Sequence, residues 1–386
     1  MSTRFDQPSL WRRALPLWTG FDGPLMLAAL LLAVAGLITM YSAGFDHGTR
    51  FADHGRNMVL AVGVLFIVAQ VPPQQLMRLA IPLYLVGLAL LIATALPGLG
   101  ITKKGATRWL NIGLTIQPSE IMKIAMPLML AWWFQRREGQ LRVLDFAIAA
   151  TLLVVPVGLI VKQPDLGTAI LVLSAGLYVI FFAGLSWKLI VPALLLGVAA
   201  VTAVVVSEDE ICQPEVTWPL LHPYQKNRIC TLLDPTTDPL GKGFHTIQGE
   251  IAIGSGGTRG KGFMNGTQTH LEFIPERTTD FVFAAYAEEF GLFGSLALTA
   301  GFIFLIFRGL LIAADAPSVF TRLLAGAISL SFFTYAFVNM GMVSGILPVV
   351  GVPLPFLSYG GTAMVTLGLG LGLLMSISRN RRPAQA

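Results

Sequence analysis

Two short segments of this 386-residue sequence place acidic and basic side chains beside long apolar runs. The first is GATRWLNIGLTIQPSEIMK at 105–123, in which Pro118 suits the first turn of a helix that then carries Glu120 and Lys123. Residues three apart share one face of a helix, so this carboxylate and this ammonium group can pair. Two interpretations stay open: a structural ion pair within a helix bundle, or Lys123 acting with Arg108 to bind a phosphate-bearing substrate.

The second segment is ERTTD at 276–280, which ends where an apolar helix is predicted to begin. Asp280 at that position is explained by helix capping, because a carboxylate there accepts backbone N–H groups and interacts favourably with the helix dipole. It is equally well placed to act as a general base at the mouth of a bundle. Glu288 lies about 12 Å deeper along the helix and about 80° around it, so a paired-carboxylate mechanism is not predicted.

Two further segments have an unusual backbone composition. QPDLGT at 163–168 places Asp165 in a tight turn, where turn formation and catalysis are alternative roles. The stretch at 341–362 contains Ser358 together with three prolines, five glycines and no charged residue, so it cannot form one regular helix. Irregular backbone at membrane depth is tolerated only where it is buried in protein or lines a cavity. We therefore predict that this stretch forms a wall of the substrate site.

The glycine-rich segment GSGGTRGKG at 254–262 does not form a nucleotide-binding loop. A P-loop requires glycine where Ser255 stands and Ser or Thr where Gly262 stands. We expect instead tight backbone turns along the membrane surface, with Arg259 and Lys261 available to anionic headgroups.

The composition indicates that all these groups belong to a membrane protein. Hydrophobic residues make up 54% of the chain and charged residues 12%, about half the charged share of a soluble globular protein. The net charge of +5 comes from basic residues in short loops, and no basic stripe with interleaved aromatic residues points to nucleic acid. The sequence therefore predicts an all-α, polytopic membrane protein that does not bind nucleic acid.

Ten apolar runs are long enough, or nearly so, to cross the hydrocarbon core as helices. They are residues 22–43, 57–72, 76–98, 118–135, 144–162, 167–185, 187–206, 280–307, 318–343 and 360–378. A signal peptide is the alternative interpretation of the first run, but no clean cleavage site follows it. With the amino terminus inside, thirteen Lys and Arg residues fall in inner segments and six in short outer loops. This bias predicts one membrane domain, residues 1–386, with both termini cytoplasmic.

The long segment at 207–279, between the seventh and eighth spans, is the one large loop and is predicted to lie outside the membrane. Cys212 and Cys230 would then lie in an oxidising compartment, where a disulfide is expected and two unpaired thiols are the alternative. Another outer loop carries Lys103 and Lys104 close to Arg108, against the charge bias. That cluster reflects either chance or an anionic ligand at the outer face.

The motifs, taken in order, closely resemble those of one family. They are GATRWL, QPSEIMK, QPDLGT, LLDPTTDPLGKGFHTIQ, AIGSGGTRGKGF, LEFIPERTTDF and SGILPVVGVPLPFLSYGGT. The resemblance is to the SEDS family, runs from the first span to the last, and is closer to its elongation branch than to its division branch. It implies a peptidoglycan glycosyltransferase that polymerises lipid II into β-1,4 glycan strands at the outer face of the inner membrane. Undecaprenyl diphosphate is released, and a class B penicillin-binding protein (penicillin-binding protein 2) supplies the transpeptidase for rod-shaped growth.

The resemblance also assigns roles to individual residues. Asp280 matches the position that the family treats as catalytic. The positions expected to bind substrate are Arg56, Arg108, Glu120, Lys123, Asp165 and Ser358. A divalent cation, Mg²⁺ or Mn²⁺, stays open because no DxD-like pair is present. One departure is the stretch SEDEICQPEVTWPLLHP at 207–223, which is longer than the usual connection and affects the local loop and partner contacts.

The expected chemistry fits these residue types. A carboxylate can take the proton of the acceptor's sugar 4-hydroxyl as that oxygen attacks the donor's anomeric carbon, with inversion. Cationic groups or a divalent ion would stabilise the leaving diphosphate. A lipid II flippase or other transporter is the alternative function, although no internal repeat is apparent. A membrane scaffold is the third, and it would not require ionisable groups in a helix.

Overall fold

The computed structural model describes residues 20–96, 99–103, 106–111, 115–213, 216, 218, 223–234, 243–274 and 276–380. Ten long helices coincide with the ten predicted spans. They are α1 (Gly23–Ala43), α2 (Arg50–Ala69), α3 (Pro73–Ala95), α4 (Pro118–Arg136), α5 (Val143–Lys162), α6 (Leu166–Phe182), α7 (Trp187–Val206), α12 (Val282–Ala314), α13 (Val319–Val343) and α14 (Gly361–Arg379). The predicted polytopic helical architecture is confirmed.

Shorter elements lie between these helices. The strands are β1 (Gly100–Lys103), β2 (Ala106–Asn111) and β3 (Thr115–Ile116), and the short helices are α8 (Glu208–Ile211), α9 (Pro223–Leu233), α10 (Phe244–Gly256) and α11 (Thr267–His270). The strands form an antiparallel sheet in the order β1-β2-β3, which the all-α expectation did not include. Gly100 pairs with Leu110, and Leu110 pairs with Ile116. This sheet carries Arg108 and leads directly into α4.

Judged by length and composition alone, eight of the ten long helices are long and apolar enough to cross a membrane. Helix α6 is apolar but has 17 residues. Helix α4 has 19 residues and is less apolar because it includes Glu120 and Lys123. Both helices pack against neighbouring helices of the bundle. Those neighbours surround the polar side chains of α4 and shield them from lipid.

Helix starts follow ordinary capping chemistry. Pro73 and Pro118 occupy the first turns of α3 and α4, where a missing backbone N–H has no cost. Asp22 caps α1 by accepting the Leu25 N–H at 3.1 Å. The Asp22 carboxylate also pairs with Arg308 of α12 at 2.7 Å, so the start of the first span is tied to the C-terminal part of α12.

The core of the bundle lies around α4, α13 and α14, whose side chains are mostly buried. Helix α7 is the opposite case, since none of its residues is buried. A helix that exposes apolar side chains on every face is stable only in a hydrocarbon environment. The ionisable groups of α4 therefore sit in the centre of the protein, and α7 lies at its lipid-facing edge.

Helix α12 begins at Val282 and bends at Gly291, where the backbone has a φ of +66°. A Cβ atom there would lie 2.2 Å from the backbone nitrogen of Gly260, so only glycine allows the two segments to touch. The Lys261 N–H donates to the Glu288 carbonyl at 3.0 Å, and the Leu292 N–H donates to the Gly257 carbonyl at 2.9 Å. The glycine-rich segment is thus packed on the kink of α12.

The inserted part of the long loop is closed by the Cys212–Cys230 disulfide, as predicted. The bond joins the end of α8 to α9. Inside it, the buried Lys226 donates to the Val216 carbonyl at 2.6 Å, and the Trp218 indole N–H donates to the Ile211 carbonyl at 3.0 Å. The segment is therefore a cross-linked unit with its own internal hydrogen bonds.

We expect that replacing both cysteines by serine will lower the local free energy of unfolding of this unit by about 3 kcal/mol, because the unfolded loop regains chain entropy. Amide hydrogen exchange in α8 and α9 measures this change. A reducing agent should reproduce the change in the parent protein and have no effect on the double serine variant. Equal protection of the parent and the variant would show that the disulfide does not hold the unit together.

Candidate active site

Asp280 lies in a turn that precedes α12, two residues before the helix begins. The N-cap residue of α12 is Phe281, which has no side-chain capping bond. The helix-cap interpretation of Asp280 is therefore wrong, because the helix begins two residues later than the sequence suggested. The residue is half-buried.

The irregular segment at 344–360, between α13 and α14, holds the backbone of this turn. The Tyr359 N–H donates to the Thr278 carbonyl at 2.8 Å. The Ser358 hydroxyl donates to the Thr279 carbonyl at 2.6 Å and accepts the Leu354 N–H at 2.7 Å. Ser358 therefore contributes through the position of the turn that carries Asp280.

Asn339 of α13 completes the contact and is fully buried. Its Nδ2 donates to the Asp280 carbonyl at 2.9 Å and to the Val352 carbonyl at 2.7 Å. A Cβ atom on Gly351 would lie 3.4 Å from Asp280 Oδ2, so the backbone beside Val352 borders the carboxylate. Together with the bonds from Ser358 and Tyr359, this fixes three consecutive carbonyl groups. The position of the Asp280 backbone is thus set by contacts with α13 and with the irregular segment.

Arg277 fastens the other side of the same turn to the connection between α1 and α2. Its guanidinium is buried, donates to the Ala43 carbonyl at 3.0 Å, and pairs with Asp46. Partial burial raises the pKa of Asp46, but hydrogen bonds from Arg277 and His47 outweigh it and hold that pKa well below its usual range. Asp46 therefore stays ionised and keeps Arg277 in place.

Glu120 and Lys123 form the predicted pair on α4. Lys123 Nζ lies 2.6 Å from Glu120 Oε1, and the two side chains are only 6% and 14% exposed. The Thr366 hydroxyl of α14 donates to Glu120 Oε2 at 3.1 Å, and Lys123 Nζ lies 5.5 Å from the centre of the Tyr335 ring. A cavity of about 30 Å³ adjoins this cluster, lined in part by Ser331. The pair joins α4 to α13 and α14.

Arg108 and Asp165 form a second charged pair, at 3.5 Å. Arg108 also donates to the Pro164 carbonyl at 2.8 Å. Asp165 accepts the Gln117 amide at 2.8 Å and caps α6 by accepting the Thr168 N–H at 3.3 Å. Asp165 therefore does form a turn, and it also draws β2 and the start of α4 together. The phosphate-binding hypothesis placed Arg108 above Lys123. In the structure Arg108 is instead paired with Asp165.

The Asp165 turn and the Asp280 turn lie against the same piece of backbone. Gly167 approaches it so closely that a Cβ atom would lie 2.7 Å from the Val350 carbonyl oxygen. The next residue of that piece, Gly351, borders Asp280 Oδ2. The irregular segment therefore contacts both of the turns that carry predicted site residues, and its role as a wall of the substrate site stays a prediction.

Arg56 is the predicted site residue that stands apart. Its side chain is 68% exposed and pairs with Asp53, one helical turn away, at 3.0 Å. Sequence reasoning missed Asn339 and Arg277 as site residues. The signal for Asn339 was a polar amide side chain within an apolar span. The signal for Arg277 was a basic residue three positions before Asp280.

The expectation that Lys261 faces anionic headgroups is wrong. Lys261 Nζ lies 2.7 Å from Glu288, which is fully buried. The same carboxylate accepts the N–H groups of Gln268 at 2.8 Å and Thr269 at 3.0 Å. Glu288 therefore holds the glycine-rich segment on α12, whereas Arg259 in that segment is exposed.

Within the described ranges, no three His, Cys, Asp or Glu side chains come together as a metal-binding group. The divalent cation stays a prediction, and the chemistry below uses only the side chains present. The arrangement offers a half-buried carboxylate on a turn that is held by its backbone, and two cation–carboxylate pairs, Arg108–Asp165 and Lys123–Glu120. Such a site can accept a proton from a hydroxyl group at the outer face of a membrane.

Comparison with known sequences shows which proteins this chain resembles. The FtsW/RodA/SpoVE family model, described as "Cell cycle protein", matches residues 24–383. The chain is 46% identical over 363 residues to the peptidoglycan glycosyltransferase MrdB of Escherichia coli K12, covering 94% of each chain. It is 32% identical over 369 residues to the probable peptidoglycan glycosyltransferase FtsW of Geobacter metallireducens, covering 93% of this chain and 94% of the relative.

Solved structures show the same similarity. One comes from work on the structural coordination of polymerization and crosslinking by a peptidoglycan synthase complex. It has a TM-score of 0.76 and 33% identity, and the match covers 96% of this chain and 100% of that one. The rod shape determining protein RodA of Thermus thermophilus has a TM-score of 0.68 and 27% identity, and the match covers 95% of this chain and 99% of that one.

Proposed function

The chain belongs to the FtsW/RodA/SpoVE family, and from that membership we propose that Asp280 is the catalytic base of a lipid II polymerase. The protein is a multi-pass membrane protein and a peptidoglycan glycosyltransferase that acts in cell-wall synthesis and cell shape. The observation that carries the assignment of the base is the half-buried Asp280, whose turn is fixed at three consecutive carbonyl groups.

The reaction joins two lipid-linked disaccharides. The acceptor's sugar 4-hydroxyl gives its proton to the Asp280 carboxylate while its oxygen forms a bond to the donor's anomeric carbon. The bond from that carbon to the lipid diphosphate breaks on the opposite side, so an α-linked donor yields a β-1,4 glycan strand and undecaprenyl diphosphate. Asp280 supplies general-base catalysis, and the fixed turn supplies orientation.

The remaining site residues act on the diphosphate or on the walls of the site. We assign Arg108 and Lys123 to the stabilisation of the negative charge that gathers on the leaving group. Each is paired with a carboxylate, Asp165 or Glu120, which keeps the cation in place. Arg56 would meet substrate from the exposed end of α2, and Ser358 acts through the backbone of the Asp280 turn.

We place the site on the periplasmic side of the inner membrane, with both termini cytoplasmic. Support comes from the bias of Lys and Arg in the short loops and from the disulfide in the 207–279 loop. We further propose that a class B penicillin-binding protein, penicillin-binding protein 2, is the transpeptidase partner. The support is the similar chain solved in work on a peptidoglycan synthase complex.

Polymerisation of labelled lipid II by the purified protein, alone and with penicillin-binding protein 2, tests this function. Penicillin is included to block cross-linking, so only glycan strands are measured. We expect glycan strands to form, and we expect no acceleration of the movement of fluorescent lipid II from one leaflet of the vesicle membrane to the other. Translocation without polymer, in an assay where a known polymerase is active, would overturn the proposal in favour of the flippase alternative.

A further inference from the structure

Arg50 is a cation at the outer end of α2 that has an aromatic partner and no carboxylate partner among the described residues. Its Cζ lies 4.4 Å from the centre of the Tyr359 ring. The neighbouring acids are already engaged, since Asp46 pairs with Arg277 and Asp53 pairs with Arg56. Arg50 thus differs from Lys123, Arg108 and Arg56, which are each paired with an acid.

Stacking on a ring uses the face of a guanidinium and leaves its edge available. The five N–H donors of arginine lie in the plane of the group, where they match two oxygens of a phosphate. Arg50 is also the first residue of α2, so the positive end of the helix dipole adds to its charge. The side chain is half-buried, which weakens competition from water and still allows access.

Tyr359 connects this cation to the catalytic turn. Its backbone N–H donates to the Thr278 carbonyl at 2.8 Å, and Ser358 beside it donates to the Thr279 carbonyl. Arg50 therefore stacks on the same segment that fixes Asp280. A ligand held by Arg50 would lie at the edge of the Asp280 site on the α2 side, whereas Arg108 is held by Asp165 at the start of α6.

We propose that Arg50, stacked on Tyr359, binds a phosphate group at this edge of the site, and that its source is the diphosphate of the lipid-linked substrate. This inference rests on the proposed function and adds a binding residue to it. A phospholipid headgroup is the other source of the same chemistry at a membrane surface. Two phosphate oxygens would accept two parallel N–H groups from Arg50, which is the strong, charge-assisted form of this contact.

The test measures binding of labelled undecaprenyl diphosphate and the KM for lipid II in the full-length protein. The variants are Arg50→Gln and Arg50→Lys, with Arg259→Gln as the control because it removes the same charge from an exposed site. We expect Arg50→Gln to weaken diphosphate binding and to raise KM by about tenfold or more, since hydrogen bonds to charged groups are lost. Arg50→Lys should restore part of the affinity because it keeps the positive charge. The restoration should be incomplete because an ammonium group cannot bind bidentately. Arg259→Gln should stay within about twofold of the parent.

Bilayer composition separates the two sources of phosphate. In bilayers of phosphatidylcholine alone, the defect of Arg50→Gln should persist at full size. A defect that appears only when phosphatidylglycerol is present would assign Arg50 to headgroups and overturn the proposal. Unchanged diphosphate binding by a folded Arg50→Gln would also overturn it. A third outcome is that diphosphate binding depends on Arg50 but the parent protein forms no polymer. That outcome would support the phosphate site and reject the polymerase function.

Discussion

Asp280→Asn is expected to lower the rate of glycan polymerisation by about 10²–10⁴-fold, the usual contribution of a general base. The amide has nearly the same shape but cannot take a proton from the acceptor hydroxyl. The fold should survive, because Asn339 binds the Asp280 backbone carbonyl and that atom is unchanged. The loss should therefore appear as a lower kcat in a protein with an unaltered melting temperature.

The rate is measured as glycan formed from saturating lipid II, with thermal melting of the same preparation. Glu276→Gln is a matched control, because it neutralises an acid in the same turn and retains an oxygen for the Thr279 hydroxyl, now 2.7 Å from Glu276. The control should polymerise at a rate close to that of the parent. A folded Asp280→Asn within about tenfold of the parent would mean that another group accepts the proton.

Lys123→Met is expected to have the second largest effect. It leaves Glu120 charged and without its partner inside the bundle, and breaking a buried pair in this way costs about 3–5 kcal/mol. The Thr366 hydroxyl offers Glu120 one remaining hydrogen bond, which is weaker compensation than the lost ammonium group. Thermal melting in the same detergent or lipid measures the loss, and the polymerisation rate is measured on the fraction that remains folded.

The double variant Glu120→Gln/Lys123→Met separates the two interpretations of this pair. With both charges removed, no unpaired ion is left and most of the lost stability should return. If Lys123 also stabilises the leaving diphosphate, the double variant should be stable and still polymerise slowly. A stable double variant with the parent rate would show that the pair only holds α4 against α14.

Local patterns predicted the parts of the structure that depend on neighbouring residues. The ten spans follow from runs of apolar side chains that need to avoid water. The Glu120–Lys123 pair follows from the three-residue spacing on one helix face. The disulfide follows from the placement of two cysteines in one loop outside the membrane. None of these inferences requires knowledge of how the helices pack.

Contacts between distant segments were not accessible in the same way. Asn339 reaches Asp280 across 59 positions, and Ser358 reaches Thr279 across 79. The residues next to Asn339 and next to Ser358 in the sequence do not specify which distant residue each will contact. The start of α12 two residues beyond Asp280 is a similar case, because the turn is held by Arg277 and by the irregular segment and not by a helix cap.

Helical phase gives the two cations of α2 different neighbours, Asp53 for Arg56 and Tyr359 for Arg50. Arg50 and Arg56 are six residues apart, so they lie about 120° from each other around the helix. The sequence places both near the outer end, but only packing decides which one meets Tyr359. Lys261 illustrates the same limit, since its partner Glu288 is 27 positions away.

The most direct test of Asp280 as the base compares lipid II binding with polymerisation in one preparation of Asp280→Asn. A base acts on the transition state, so the variant should bind lipid II within about threefold of the parent and polymerise it at below about 1% of the parent rate. Polymerisation near the parent rate would contradict the assignment. So would a loss of lipid II binding that accounts for the whole loss of rate, because Asp280 would then be a substrate ligand.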